Sequence, residues 1–197
     1  TSLRASRRPG RHLASDAHAV TITRAAVWKV GMVAIAAVAI SFLGSTALEA
    51  TNTQAFCTSC HSMHIVAAEH RESVHFSNAS GVMATCADCH VPEPLGPLLY
   101  AKVIAAKDVY HELAGTIDTA EKFEARRWRL ANAVWEKMEA TDSRECRSCH
   151  AFTQMDYEAQ PRRTARRHQR AEQEGKTCIE CHKGVAHREP DPPALDG

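Results

Sequence analysis

Apolar residues are concentrated in one stretch near the start of the chain. Residues 30–48 contain no charged side chain, and residues 25–28 extend the apolar run beyond Lys29. About 20 consecutive apolar residues are enough for an α-helix to cross a bilayer. The pattern therefore predicts a transmembrane anchor helix over residues 25–48, with Trp28 at the interface and Lys29 reaching toward the headgroups.

A cleaved secretion signal is the alternative for this stretch, because Ser45, Thr46 and Ala47 resemble the small residues of a cleavage site. The apolar run is longer than the core of a usual signal, which favours an uncleaved anchor. Positively charged segments stay on the cytoplasmic side of a membrane. We therefore expect a cytoplasmic basic tail at residues 1–24 and a domain in the periplasm at residues 49–197.

Prolines and glycines divide the rest of the chain into short segments. The residues from Leu98 to Leu113 follow a proline-rich stretch and precede a glycine, and their pattern is helical. Asp118 and Glu121 form a candidate capping box that would begin a longer helix, ending at Ala140. The pattern predicts a mainly α fold with much irregular coil.

Four copies of the motif Cys-x-x-Cys-His use all eight cysteines of the chain. The cysteines are Cys57, Cys60, Cys86, Cys89, Cys146, Cys149, Cys178 and Cys181, and the motif histidines are His61, His90, His150 and His182. Two thiols three positions apart, followed by an imidazole, fit covalent c-type haem. Zinc sites and redox-active cysteine pairs are the alternatives, but neither explains a histidine after every pair. We therefore predict four covalently bound haem c groups.

Composition and charge agree with a core that is built on haem. Only 6% of the 197 residues are aromatic, so four porphyrins would supply much of the apolar bulk. Residues 1–29 carry six basic side chains and one acidic one, whereas residues 30–197 carry 18 basic and 22 acidic ones. Because the basic excess is confined to the tail, the sequence argues against a nucleic-acid partner.

The spacing of the motifs indicates an internal duplication. The first two motif histidines lie 29 residues apart and the last two lie 32 residues apart, and each pair encloses a lone histidine, His75 or His168. The simplest interpretation is a multihaem c-type cytochrome domain built of two dihaem units, at about residues 49–115 and 116–197.

Five arginines surround His168 in the segment 161–170. A solvated helix is the simplest interpretation of this charge run. Pairing with haem propionates and docking of a partner are the alternatives.

Several of these features together resemble the NapC/NirT/NrfH family of membrane-anchored tetrahaem quinol dehydrogenases. They are the anchor, the four motifs, the methionine two residues after the first motif, and the stretches 74–82 and 115–119. The likeness runs from about residue 25 to residue 189. It is strongest to the NapC branch, which passes electrons from the quinol pool to periplasmic nitrate reductase.

The resemblance implies a function and a location. The chain would be a cytochrome c of the bacterial inner membrane that oxidises quinol and relays electrons to a periplasmic reductase, with nitrate reductase favoured. Two alternatives stay open: a terminal multihaem reductase of a small nitrogen or sulfur oxyanion, and an anchored carrier that takes electrons from another cytochrome.

The resemblance also implies further iron ligands. It assigns His75 to the fourth haem and His187 to the third, and His168 then falls to the second. At the first haem it implies that Met63, in place of His61, binds the iron, which leaves the other face open for quinol. His64 and His70 are expected to have no such role.

Lys102 and Asp108 match the quinol site of the family. We expect Lys102 to hydrogen-bond the quinol oxygen and Asp108 to accept a proton. A solvated helix face, with Lys107 and Glu112 alongside, is the alternative. His111 is a second candidate for the base.

Overall fold

The computed structural model describes residues 23–192, and every regular element in that range is helical. The α-helices are α1 Arg24–Ala50, α2 Gln54–Cys57, α3 Met63–Arg71, α4 Cys86–His90, α5 Leu95–Leu113, α6 Ala120–Glu124, α7 Arg127–Ala140, α8 Arg144–Arg147 and α9 Arg162–Gln173, with a 3₁₀-helix at Phe152–Gln154. Long irregular segments connect them. The prediction of a mainly α fold with much coil is confirmed, while most of the predicted basic tail lies outside the described residues.

The described chain forms two compact units, which divide between Ser45 and Thr46. The first unit consists of most of α1. This helix has 27 residues, which corresponds to about 40 Å, and none of its side chains is buried. By length and composition α1 is able to cross a membrane, as the apolar pattern predicts.

Few apolar side chains are buried in the second unit, as far as the structure describes it. Those below a tenth of their full exposure are Ala67, Pro92, Phe123, Trp135, Ala165 and Ile179. A domain of this length ordinarily buries a much larger apolar core. The packing of the polypeptide alone is therefore sparse, in agreement with a core that includes large cofactors.

The helix predicted from Asp118 to Ala140 is two helices. Thr119, whose backbone is extended, accepts a hydrogen bond from the Lys122 N–H and begins α6. Asp118 instead forms an ion pair with Lys122 at 2.8 Å. The chain breaks again before α7, where Arg127 turns inward and is buried.

A turn of unusual backbone conformation ends α7 and leads into the third motif. Asp142 and Ser143 both have positive φ, 54° and 47°. The Ser143 N–H donates to the Met138 carbonyl at 2.7 Å, which is the bond that closes a Schellman C-cap. Ser143 is fully buried, and its Oγ accepts a hydrogen bond of 3.2 Å from the N–H of Ile179, within the fourth motif. This serine therefore connects the end of α7 to the last motif.

We expect Ser143→Ala to lower the free energy of unfolding by about 1–3 kcal/mol, because it leaves the buried Ile179 N–H without an acceptor. The measurement is the guanidinium unfolding midpoint of the haem-loaded protein. Ser148→Ala is the matched control, since that hydroxyl is exposed and bonds only two local acceptors, the Glu145 carbonyl and the sulfur of the adjacent Cys149. Equal midpoints for the two variants would contradict the role assigned to Ser143.

Candidate functional site

The second Cys-x-x-Cys-His motif is helical throughout, and the third and fourth each close a turn in which the last cysteine and the histidine donate to the carbonyl of the first cysteine. The first motif is the least regular, because only Cys57 is helical and the His61 N–H donates to Glu112. The second motif is the whole of α4, the first begins at the end of α2, and the third begins in α8. In the fourth motif the N–H groups of Cys181 and His182 both donate to the Cys178 carbonyl. Side chains at positions i, i+3 and i+4 of a helix share one face. Both thiols and the imidazole of a motif are therefore presented together, as attachment of one haem requires.

The second and fourth motifs also begin in the same way. Thr85 and Asp88 form a reciprocal capping box at the start of α4. At the fourth motif the N–H of Thr177 donates to the side chain of Glu180 at 3.0 Å. The similarity of sequence between these two motifs thus extends to the hydrogen bonds that start each turn.

The motifs follow one another in space in their sequence order. The Cys86 N–H, at the start of the second motif, donates to the side chain of Gln54 on α2, which leads into the first. The short helices α4 and α8 contact each other, which joins the second motif to the third. Ser143 and Ile179 join the third to the fourth. The four attachment sites therefore form a continuous row.

The thiols of successive motifs are close enough to affect one another. Desolvation raises the pKa of the Cys89 thiol to about 11, and the neighbouring Cys146 acts in the same direction. Desolvation also raises the pKa of Cys146, with Cys178 as the next cause. These interactions are consistent with neighbouring haem sites.

Three of the lone histidines each face one motif histidine. The pairs are His75 with His150, His187 with His90, and His168 with His182, with ring centroids 6.2, 6.2 and 5.9 Å apart. An imidazole nitrogen binds a first-row metal at about 2 Å, so two imidazoles on opposite sides of one iron have centroids about 6 Å apart. The spacing of all three pairs fits a six-coordinate haem iron.

The second ring nitrogen of each lone histidine is held by a hydrogen-bond partner. The Nδ1 atom of His75 lies 3.4 Å from the Val185 carbonyl, and that of His187 lies 3.1 Å from the Val66 carbonyl. The Nδ1 atom of His168 lies 2.7 Å from the side-chain oxygen of Gln160. A carbonyl accepts only from a protonated Nδ1, so Nε2 keeps its lone pair. Such partners fix the tautomer and orientation of a metal-binding histidine.

The structure pairs these histidines in an order that differs from the expected one. His75 lies beside the third motif and not the fourth, His187 beside the second and not the third, and His168 beside the fourth and not the second. The reason is that the C-terminal segment doubles back along α3, where the Val66 carbonyl holds His187. The use of these three residues as iron ligands stays a prediction.

The histidines of the second site are kept neutral by their surroundings. Desolvation lowers the pKa of His90 to about 4, and the neighbouring His187 and Lys137 act in the same direction. Desolvation also lowers the pKa of His187. Iron requires the neutral form of imidazole, which is the form that both residues have at pH 7.

The first motif differs from the other three. None of the three lone histidines described above faces His61, whose ring lies 5.4 Å from that of the local His64. Met63 is the first residue of α3 and is half-buried. His64, which the sequence gave no role, is therefore the imidazole nearest to this motif among the described residues.

Glu112 fixes the first motif to α5, and the sequence did not single it out. Its carboxylate accepts hydrogen bonds from the N–H of His61 at 3.0 Å and from the hydroxyl of Ser62 at 2.6 Å. Ser62 is buried and is the residue from which α3 begins, so Glu112 holds the junction between the first motif and α3 against α5. The residues are 50 positions apart, and no local signal would have paired them.

The two candidate quinol residues lie on the same helix, α5. The Lys102 ammonium donates to the Thr51 carbonyl at 3.0 Å, just after α1 ends. Asp108 is exposed. Six positions on a helix leave the two side chains about 120° apart. They therefore flank a region of α5 that Glu112 ties to the first motif, and they do not share one face.

Comparison with known proteins decides the family. The model of the NapC/NirT cytochrome c family, N-terminal region, matches residues 19–192. The chain belongs to the NapC/NirT cytochrome c family. It is therefore a membrane-anchored tetrahaem cytochrome whose motifs bind haem c covalently, a group that takes up and gives up single electrons.

Three relatives in this family are similar to this chain over most of their own length. A putative tetraheme cytochrome-c type from Allochromatium vinosum is 53% identical over 93% of this chain and 97% of the relative. The denitrification system component NirT from Stutzerimonas stutzeri is 49% identical over 75% of this chain and 74% of the relative. The cytochrome c-type protein NapC from Escherichia coli K12 is 47% identical over the same shares.

A buried ion-pair cluster holds the segment that carries His187 in this cytochrome. The Arg127 side chain is only 6% exposed and pairs with Glu69 of α3. Arg127 also donates to the Arg188 carbonyl at 2.7 Å, and the Arg188 N–H donates to Glu69 at 3.0 Å. His187 thus lies immediately before a residue, Arg188, that is fixed from both α3 and α7.

His70 lies next to the same segment. It is buried, its Nδ1 has no partner among the described residues, and its ring lies 6.3 Å from that of His187. The sequence gave His70 no role, and the structure assigns it to the packing around the second haem site.

We expect Glu69→Gln to lower the free energy of unfolding by about 2 kcal/mol, because it removes the less exposed of the two carboxylates that pair with buried Arg127 and leaves only Glu124. Burial acts to raise the pKa of Glu69, but hydrogen bonds from Arg127 and the Arg188 backbone, with both guanidinium charges, hold it below its ordinary 4.5. The stabilisation is therefore complete above pH 4.5 and is lost as pH falls below it.

The measurement is unfolding at pH 7 and at successively lower pH for the wild type, Glu69→Gln and Glu139→Gln. Glu139 is exposed on α7, so its variant should behave as wild type. For Glu69→Gln the free energy of unfolding should fall less steeply below pH 4.5 than it does for the wild type. If the free energy of unfolding of that variant fell just as steeply at acid pH, carboxylates other than Glu69 would be responsible for the loss.

Proposed function

We propose that the chain oxidises quinol next to the first motif and passes the electrons along the four haems to a soluble reductase in the periplasm. The observation that carries this proposal is the row of attachment sites. At three of them the motif histidine faces a lone histidine about 6 Å away, whereas His61 of the first faces only its local neighbour His64. A substrate that must approach a haem iron or the edge of a haem is best accommodated at the first motif.

The proposed ligands follow from the pairs. His90 and His187 serve the second haem, His150 and His75 the third, and His182 and His168 the fourth, while the eight motif cysteines form the thioether bonds. At the first haem we propose Met63 as the iron ligand, in place of His61. A thioether is softer than an imidazole and would give this haem a potential distinct from its neighbours.

The two proposed dihaem units, residues 49–115 and 116–197, would then exchange histidines. His75 of the first unit serves a motif of the second, and His187 of the second unit serves a motif of the first. The anchor at residues 25–48, a cytoplasmic tail before it and a periplasmic haem domain after it complete the proposed organisation.

Oxidation of quinol releases two electrons and two protons, so the site needs a hydrogen-bond donor and a base. Lys102 uses one of its three N–H groups on the Thr51 carbonyl, which aims the ammonium and leaves two donors for a quinol oxygen. Asp108 is exposed and accepts a proton without an ion pair to break. Glu112 keeps α5 against the first motif and so positions both groups.

Nitrate reductase is the favoured partner, because relatives named NapC match over three quarters of the chain. A relative named NirT matches to the same extent. The names therefore support a soluble reductase as the class of partner more strongly than they support nitrate reductase in particular. A terminal reductase of a nitrogen or sulfur oxyanion would need an open haem away from the first motif, and the three imidazole pairs argue against one.

We expect His75→Ala and His187→Ala each to convert one low-spin haem to high spin while all four haems stay attached, because the thioether bonds do not depend on the axial ligand. Electron paramagnetic resonance and the haem-to-protein ratio provide the measurements. His111→Ala is the control, since that ring bonds Thr116 and faces no motif histidine. Unchanged spectra in both variants would remove these histidines from the ligand set.

We expect Lys102→Gln and Asp108→Asn to slow quinol-dependent haem reduction by about 10²-fold, the usual contribution of a positioned acid or base. Reduction by dithionite should stay normal, because neither residue is a proposed iron ligand. Lys107→Gln is the control, since that ammonium is exposed on the same helix. Quinol rates equal to wild type in both variants would exclude the pair and leave His111 as the next candidate.

A further inference from the structure

The helix α9 carries all of its arginines on one side. Their positions spread over about 140° of the circumference, and the residues are Arg162, Arg163, Arg166, Arg167 and Arg170, here called the arginine face. Ala165, which is buried, and His168, which is half-buried against His182, lie on the opposite side. The inner side of α9 thus belongs to the fourth haem site, and the arginine face is directed away from it.

The charges of the arginine face have no counterion within the described chain. All five residues are exposed, and none of their guanidinium groups makes an ion pair or hydrogen bond among residues 23–192. The acidic residue nearest to the end of this face, Glu172, accepts a hydrogen bond from Tyr157 instead. The face is therefore available to an external anion.

This arrangement of charges makes α9 less stable than a solvated helix with mixed charges would be. Like charges four residues apart repel each other, and such pairs occur three times, at Arg162 with Arg166, Arg163 with Arg167 and Arg166 with Arg170. Local conflicts of this kind concentrate at functional sites. Five of the 18 basic side chains of residues 30–197 lie here, against 22 acidic ones in the same range. The arginine face is a basic patch on an otherwise acidic part of the chain.

We propose that the arginine face docks an acidic surface of the soluble redox protein that receives the electrons, with the fourth haem as the exit. This inference rests on the proposed function and adds where the partner binds and which charge it carries. In the transfer the iron of the fourth haem goes from Fe(II) to Fe(III), and a one-electron acceptor in the partner is reduced. Opposite charges on the two surfaces speed encounter and fix orientation.

Anionic lipid headgroups would also bind arginines, but the order of the sites favours a protein. Thr51, just after α1, contacts Lys102 on α5, and Glu112 of α5 binds the first motif. The helix α9 belongs to the fourth motif, at the other end of the row. A partner that docks there receives electrons that have passed all four sites.

The test measures oxidation of the full-length protein in neutral phosphatidylcholine nanodiscs after reduction with one equivalent of dithionite per haem. The acceptors are an acidic plastocyanin and a basic mitochondrial cytochrome c, mixed by stopped flow at low and high salt. The variant is Arg162→Gln/Arg166→Gln/Arg170→Gln. The matched control is Arg71→Gln/Lys107→Gln/Arg129→Gln, which removes three exposed charges that lie off the arginine face.

At low salt we expect the face variant to lose about tenfold in the second-order rate with plastocyanin, within the usual range of electrostatic steering. The control should lose less than about twofold, salt should reduce the difference, and the rate with cytochrome c should not fall. Equal losses in both triple variants, or no loss in either, would overturn the proposal. So would a wild-type rate that falls when anionic phosphatidylglycerol is added while the variant's does not, because lipid would then occupy the face.

Quinol-dependent reduction, measured on the same samples, separates the two hypotheses. The face variant should be reduced by quinol as fast as wild type, because its substitutions lie at the fourth site. If quinol reduces neither protein while the charge dependence with plastocyanin persists, the proposed quinol function fails and the docking surface stands. If quinol reduction is normal and the charge dependence is missing, only the docking proposal fails.

Discussion

Three pairs of facing imidazoles bring together segments of the chain that share few other contacts. Few apolar side chains are buried in the haem-bearing unit, so ordinary hydrophobic packing contributes little to its shape. Each pair joins one turn of helix to a distant loop or helix, and a hydrogen bond at Nδ1 of each lone histidine holds its ring in place. The positions of the helices follow from these junctions and from the cofactors that fit between the rings.

Charged groups with several hydrogen bonds stabilise the points where the chain turns toward these junctions. Glu112 holds the first motif against α5, and the Glu69–Arg127 pair holds the segment that leads from His187. A buried charge is tolerated only when its partners satisfy it, and both groups meet that condition. The arginine face is exposed and so is under no such constraint, but its five like charges repel one another and have no counterion within the described chain, which is why we interpret them as half of an interaction with another molecule.

The local features of this fold could be predicted and the long-range ones could not. A Cys-x-x-Cys-His motif is complete within five residues, so its chemistry can be deduced from its spacing alone, and α5 begins three residues before its predicted start. Asp118 and Thr119 are both good helix caps, and only the extended backbone of Thr119 decides between them. The pairing of His187 with His90 depends on how 96 intervening residues fold back, and no local pattern encodes that.

The exchange of histidines between the two halves of the chain bears on how the protein is made. A chain that is exported from its N-terminus delivers the second motif well before His187, and the third motif well after His75. Under the proposed ligation and orientation, the second haem must wait for its last ligand until the 96 residues between His90 and His187 have also crossed the membrane. A covalent tether keeps the porphyrin in place during that interval, which non-covalent binding to an unfinished pocket would not. The thioether bonds are therefore a requirement of assembly as much as of electron transfer.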